Sequence, residues 1–274
     1  MKRRQWFEWC DLAFLPAFLR SATPTFLEAT FRILKTHAAA VAPLAQVLRA
    51  TNSTRVLDLG SGGAGPLLQL LDGLAQKEGL QAHVTLTDKF PNVPAFQEAV
   101  RRDPARLSFL PESVDATRVP NTQAGVRTLF QLFHHLPPDV AFGVLKDAVR
   151  NRQGIAIFEV TERTPKGLLL SLFLPALVFL LTPFVRPFSF LRLLFTYVLP
   201  VLPLVILWDG LVSHLRSYTR PELSAMLDRL SALDGPPYVW TFGQNQGALI
   251  PVFWLTGYPN PQTDNPAQIG RAHV

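Results

Sequence analysis

The sequence predicts an α/β domain built on a mainly parallel sheet of seven strands, and three observations carry that expectation. Strand-like and helix-like segments alternate through residues 51–160, as successive βαβ units require. A short apolar strand, Val56-Leu57-Asp58-Leu59, runs straight into the glycine-rich turn Gly60-Ser61-Gly62-Gly63-Ala64-Gly65. A second apolar run then ends in Thr87-Asp88. Glycines let the backbone turn sharply and approach a ligand where a Cβ would clash, and an acidic side chain at the next strand end can bind ribose hydroxyls. The pattern points to a nucleotide-like cofactor.

Taken in order, residues 1–50 form a helical N-terminal cap, helical from residue 6, with Phe26, Ile33 and Leu34 on one face after Pro24. Strands follow at Arg55–Leu59, His83–Thr87, Leu107–Pro111, Arg127–Phe133 and Gly154–Val160. Helices are expected between them at about Pro66–Gln76, Pro94–Arg102 and Pro138–Arg150. The domain spans residues 51–257 and is interrupted by an apolar helical insertion at 165–210. Trp208-Asp209-Gly210 reads as a turn, and Thr219 with Glu222 as a capping box opening a helix. Val239–Phe242 and Val252–Gly257 supply the last two strands. Residues 258–274 read as a disordered tail, whose last six residues, Ile269 to Val274, carry no functional weight.

Composition narrows the partners. The chain has 274 residues and a formal charge of +6, and it is 48% hydrophobic with 17% charged residues. That balance suits an anionic membrane surface better than nucleic acid, for which no basic, aromatic-interleaved tract is present. Lys2, Arg3 and Arg4 resemble the start of a signal peptide, but Glu8 and Asp11 interrupt the stretch after them and leave no clean apolar core. The expected location is therefore cytoplasmic, with peripheral or monotopic seating on the cytoplasmic membrane face. The single cysteine, Cys10, supports neither an internal disulfide nor a multi-thiolate metal site, and no zinc-type ligand spacing occurs, so no metal is expected. No feature of the sequence sets an oligomeric state.

The insertion contains two apolar runs, Leu168–Leu181 and Leu193–Trp208, separated by Arg186 and Arg192. Each run is near the lower limit for a membrane span, and Pro175, Pro183, Pro200 and Pro203 interrupt regular helices. A shallow hairpin leaves the arginines among lipid headgroups, so monotopic contact is favoured over a transmembrane hairpin. The alternative is an apolar lid over the acceptor pocket that touches no lipid. Both arrangements suit an apolar or lipid-like substrate.

The order of the motifs resembles that of class I S-adenosylmethionine-dependent methyltransferases over roughly residues 50–257, apart from the insertion. Asp58, Gly60 and Gly62 match the acidic and glycine signature after the first strand, and Asp88 matches the acidic residue at the end of the second. Val114-Asp115-Ala116 resembles the adenine-contacting segment, and Phe133-His134-His135-Leu136 the loop facing the transferable methyl group. The resemblance implies a Rossmann-like methyltransferase sandwich that binds S-adenosyl-L-methionine through Asp58, Gly60, Ser61, Gly62, Gly63, Gly65, Asp88, Asp115 and Ala116. Ala64 stands where many members carry a third alternating glycine, which predicts a different local path for the loop. A dinucleotide site is disfavoured because the loop lacks the G-x-G-x-x-G pattern.

Each site residue has a plainer role open to it. The glycines can form a tight turn, Asp88 can cap the helix after Pro91, and Asp115 can cap a turn. His134 and His135 are the candidate catalytic bases, since imidazole titrates in the right range to take a proton from a nucleophile; either can instead hold the loop. Glu159 is a further site-facing carboxylate or a solvated strand end. Asp209, His214, Arg216 and Tyr218 face the acceptor or serve turns and caps. The expected reaction moves the methyl group to an O, N or C nucleophile of an apolar small molecule or lipid-like acceptor, with oxygen favoured. The alternatives are a noncatalytic membrane-associated scaffold and a methyltransferase acting on membrane proteins.

Overall fold

The computed structural model describes residues 1–260 apart from 13, 66, 187, 234 and 246–249. The tail read as disordered lies almost wholly outside the described residues. The helices in chain order are α1 (Ala17–Arg20), α2 (Ala22–Ile33), α3 (Ala38–Ala50), α4 (Leu67–Glu78), α5 (Val93–Arg102) and α6 (Pro138–Arg150). They continue as α7 (Pro165–Ser171), α8 (Leu174–Leu181), α9 (Phe190–Leu193), α10 (Val201–Arg216) and α11 (Arg220–Ser231). The strands are β1 (Arg55–Leu59), β2 (His83–Thr87), β3 (Leu107–Phe109), β4 (Val126–Phe130), β5 (Ile155–Glu159), β6 (Tyr238–Gln244) and β7 (Phe253–Pro259).

These strands form one seven-stranded sheet in the order β3-β2-β1-β4-β5-β7-β6. The first five are parallel, and β7 runs antiparallel to both β5 and β6. Strand order reverses between β1 and β4, so the crevice at their carboxyl ends is the topological switch point where open α/β sheets bind ligands. Side chains alternate across the sheet. Val56, Ala156 and Phe158 pack with Leu44, Leu48, Leu71 and Phe96, whereas Leu57, Leu129, Ile155 and Ile157 pack with Val144, Leu145 and Leu227. Both faces are covered, which is why the central strands read as continuous apolar runs.

Three sequence expectations change. Residues 38–50, assigned to the cap, form α3, and Leu44, Val47 and Leu48 are buried in the core against the sheet. Ahead of α1 the chain has only one short 3-10 turn, Trp9–Asp11, in place of the helix expected from residue 6, and Ile33 is exposed while Phe26 is buried. Trp208-Asp209-Gly210 is the middle of α10 and not a turn; Asp209 is buried there, accepting hydrogen bonds from Trp9 N (2.6 Å) and Thr23 Oγ1 (3.2 Å).

The insertion is helical from α7 through α10, with breaks at three of the four prolines expected to interrupt it; Pro203 sits in the first turn of α10, where no intrahelical bond is lost, and interrupts nothing. Pro175 lies in the first turn of α8, Pro183 in the 3-10 turn after it, and Pro200 caps α10. Phe26 and Ala29 of α2 pack on Val178, Val185 and Ile206, so cap and insertion share a small core of their own. Thr219 and Glu222 form the expected capping box at α11.

Candidate active site

The glycine loop leaves β1 for α4 and is tied to the ends of both β1 and β2. Ser61 N–H donates to Thr87 O (2.9 Å), and Ser61 Oγ donates to Asp58 O (3.0 Å) while accepting from Thr87 N (3.2 Å). Asp88 accepts from Gly62 N (3.0 Å) and Phe90 N (2.8 Å). Asn92, not Asp88, caps α5, so the plainer role for Asp88 falls away. Gly60 has φ +73° and Gly62 φ +55°, and Ala64 takes φ +67°. Ala64 thus adopts the left-handed conformation a glycine adopts freely, at a cost of about 1–2 kcal/mol.

A Cβ on Gly60 would lie 2.3 Å from Leu132 Cδ2, whereas Cβ atoms on Gly62 and Gly65 would meet nothing within 4 Å. The loop is packed at its start and open at its tip. Gly60→Ala is expected to destabilise the protein by about 1–3 kcal/mol through overpacking and backbone strain, read as a lowered Tm; an unchanged Tm would contradict this loop geometry.

The remaining cofactor-type residues divide. Asp58 is buried at the end of β1, with Thr128 Oγ1 donating to it (2.7 Å); burial pushes its carboxyl up to about 6 against the opposing hydrogen bonds of Thr128 and Ser61. Gly63 faces a group the sequence does not suggest: Glu28 of α2, whose Oε2 lies 3.6 Å from the place a Gly63 Cβ would occupy. Asp115 serves its turn, accepting from Thr117 N (2.9 Å) and Thr117 Oγ1 (2.6 Å) and pairing with Lys89 (2.8 Å). Those hydrogen bonds, Lys89 first, hold its carboxyl down at about 2. Ala116 follows, half-buried, against the α6 side of the core.

The two histidines have opposite roles. His134 is buried, and its Nδ1 lies 2.6 Å from Glu159 Oε2. Glu159 Oε1 also accepts from Phe133 N (2.8 Å) and His134 N (3.2 Å), so one carboxylate fixes both ring and loop. With Nδ1–H donating to a carboxylate, Nε2 carries the lone pair of the neutral ring. Burial works against the imidazolium, but the Glu159 charge and hydrogen bond outweigh it and raise the pKa above its ordinary value.

His135 differs because Arg216 Nη1 lies 3.0 Å from its Nδ1. A guanidinium only donates, so His135 Nδ1 is the acceptor and the proton sits on Nε2. Burial, with the His134 ring and Arg216 beside it, lowers its pKa well below the ordinary value. The one lone pair of the neutral ring is taken by Arg216, so His135 has none left with which to act as the base expected of it.

An N-terminal strap closes this side of the site, and no pattern in its sequence announces it. Arg3 donates to His134 O (2.9 Å), Leu136 O (2.9 Å) and Arg216 O (2.5 Å), and stacks over the Tyr218 ring at 4.3 Å. Gln5 donates to His135 O (3.0 Å). Glu8, 3% exposed, pairs with Arg216 (3.2 Å) and accepts from Ser213 Oγ (2.9 Å). Arg216 further reaches Trp6 O (2.7 Å) and Asp11 (2.9 Å). Tyr218 donates to Leu136 O (2.6 Å), and His214 Nδ1 lies 2.7 Å from Glu162 O; Tyr218 also lines the cavity beside His134, whereas His214 and Asp209 do not. Glu8, His134 and His135 each offer a metal-ligand atom within 4.8 Å of the others, but the Arg216 cation already neutralises Glu8 and uses His135.

A cavity of about 250 Å³ opens beside the dyad, lined by His134 and Glu159 together with Ile157, Phe242 and Trp254. It lies at the carboxyl end of β5, where Glu159 faces Phe253 across the antiparallel pair.

No family model matches the chain, and no curated protein sequence does. Solved structures do. An O-methyltransferase from neocarzinostatin biosynthesis, in complex with S-adenosylmethionine and 2-hydroxy-5-methyl naphthoic acid, matches with a TM-score of 0.52 at 12% identity, over 89% of this chain and 59% of that one. Mitomycin 7-O-methyltransferase matches at TM-score 0.48 and 15% identity, covering 88% of this chain and 56% of its own. The methyltransferase domain of a bacterial Hen1 matches at TM-score 0.46 and 15% identity, covering 82% and 99%. The chain thus spans a little over half the length of the first two. At 12% identity, the match to the neocarzinostatin enzyme shows the fold, which is that of class I methyltransferases.

Proposed function

We propose that this chain is an S-adenosylmethionine-dependent methyltransferase acting on a hydroxyl group of an apolar small molecule. One observation carries the reading: the glycine loop and Asp88, at the switch point of the sheet, lie on the same sheet edge as a buried His134–Glu159 dyad facing a cavity. The residues fit the cofactor. Gly62 and Gly65 leave open space where a Cβ would stand, Asp88 at the end of β2 would accept from ribose hydroxyls, and the Glu28 carboxylate beside Gly63 would favour a cationic group.

When bound, the cofactor supplies a methyl group on a sulfonium, ready for in-line attack. His134 Nε2 takes the proton of the attacking hydroxyl, and Glu159 stabilises the imidazolium that results. Arg216 keeps His135 neutral, and the strap backs the loop against solvent. The neighbour of shared fold is itself an O-methyltransferase, which supports oxygen as acceptor atom. Calorimetric titration with S-adenosylmethionine and S-adenosylhomocysteine tests the cofactor reading; folded protein that binds neither would overturn it and leave the noncatalytic scaffold.

A second reading concerns location. The outer faces of α7–α10 leave Leu170, Phe173, Leu180, Phe190, Val198 and Leu204 exposed, each by more than 50%. Pro165–Phe184 is 20 residues long and apolar enough to cross a membrane, and the segments Phe190–Val198 and Val201–Arg216 meet at a bend of 84°. We infer that this face rests in the surface of a bilayer with anionic headgroups, with exposed Arg186 at its rim. The double variant Leu180→Asp, Phe190→Asp is expected to lower co-flotation with anionic liposomes at least tenfold while leaving S-adenosylhomocysteine affinity unchanged. Wild-type protein that fails to float would show the insertion to be a lid alone.

A further inference from the structure

We propose that the cavity beside His134 binds a carboxylate through Arg163, so that the methyl acceptor is a small amphipathic hydroxy-acid; this rests on the methyl-transfer reading of the same site. Arg163 follows β5, lines the cavity, and its side chain is 1% exposed. Only Nη2 has a partner, the carboxylate of Glu222. Nε and Nη1 are buried without any hydrogen-bond partner. A guanidinium kept from water with two of its three nitrogens unpaired is costly, and buried polar groups of this kind are almost always satisfied.

Glu222 answers only one of the three nitrogens, and it does so through a single oxygen. The same Oε2 that meets Arg163 accepts from Thr219 N and Thr219 Oγ1, both at 2.9 Å, to cap α11. No described group accepts from Nε or Nη1, and the cavity that Arg163 lines is the space from which an outside acceptor can come. Arg220 and the hydroxyl-bearing Thr161 and Ser217 add a polar rim around that end. Glu159 and Glu162 also line the cavity, so a doubly charged phosphate meets about twice the repulsion that a single carboxylate does. Ile157, Leu223 and Phe242, which pack on one side of the sheet, give the cavity an apolar lining that suits a hydrocarbon body. A molecule anchored at Arg163 and filling that cavity turns its far end toward the His134–Glu159 dyad, where a hydroxyl would be deprotonated.

The test uses the full chain with saturating S-adenosylhomocysteine and a matched pair of probes, 4-hydroxybenzoate and 4-hydroxybenzyl alcohol, with affinities from ligand-observed NMR. Wild type is expected to prefer the acid at least tenfold, since a charge-assisted pair is available only to it. Arg163→Gln should abolish the preference and Arg163→Lys retain part of it. Glu222→Gln, which removes the competing carboxylate and leaves Arg163 in place, should strengthen acid binding, and it keeps the test open if Arg163→Gln fails to fold. Equal affinity for the two probes in wild type, an undiminished preference in Arg163→Gln, or weaker acid binding in Glu222→Gln would overturn the proposal. If S-adenosylhomocysteine fails to bind while the acid preference stands, the methyl-transfer reading falls and the carboxylate site remains.

Discussion

Replacing His134 with alanine is expected to lower turnover by about 10²–10⁴-fold, the range of positioned general bases, while S-adenosylhomocysteine affinity stays within about twofold. The ring is held by Glu159 at 2.6 Å and is the one imidazole of the adjacent pair with a nitrogen left for substrate. The pH dependence comes from the direction of its shift. The base works only when neutral, and Glu159 raises the His134 pKa, so kcat/KM should climb with pH through a limb lying above the ordinary imidazole value. Glu159→Gln removes that charge and should move the limb to lower pH while reducing the maximal rate. Stability has the opposite sign: the charged pair contributes most below the unfolded pKa, and its contribution is lost as pH rises through the folded pKa. Full turnover in His134→Ala, measured with any acceptor found by an untargeted screen, would remove the histidine from the chemistry. His135→Ala should act differently, disturbing the Arg216 network without shifting the pH limb.

Asp88→Ala is expected to weaken S-adenosylmethionine binding by about 10–100-fold. Hydrogen bonds to a charged group contribute about 1.5–3 kcal/mol each, and every 1.4 kcal/mol is a factor of ten in affinity. Two effects add in this variant. The ribose hydroxyls lose their acceptor, and the Gly62 N–H loses the carboxylate that holds the loop tip at 3.0 Å. Asp88→Asn keeps an acceptor for Gly62 but not the charge, so it should fall between the two. Calorimetry reads both variants directly, and an unchanged Kd in Asp88→Ala would place the cofactor elsewhere.

How much of this molecule is legible in its sequence depends on which contacts are local. β1, β2 and α6 fall on their expected residues because strand alternation, buried runs and a proline at the helix start are written within a few positions of each other. The capping box of Thr219 and Glu222 is legible for the same reason. His134 and Glu159 each stand out in the sequence, yet their pairing does not, since it spans 25 residues across two strand ends. Asp209 shows the reverse error: Trp-Asp-Gly suggests a turn, but its carboxylate answers Trp9 from 200 residues away and the helix simply continues. Arg3, Glu8 and Arg163 sit in no periodic pattern at all. Their roles exist only once distant segments meet, and composition gives no sign of them.

The strap also fixes when the site is completed. Arg3 and the Arg216 carbonyl are 213 residues apart in the chain. In equilibrium terms that separation costs little, because loop-closure entropy grows only by about 0.6 kcal/mol per doubling of length. In kinetic terms it matters greatly, since non-local closures are the slow steps of folding. The parallel sheet from β1 to β5 lies wholly between those two residues and can form without either of them. Closure of the wall behind His134 and His135 is therefore expected to follow formation of the sheet.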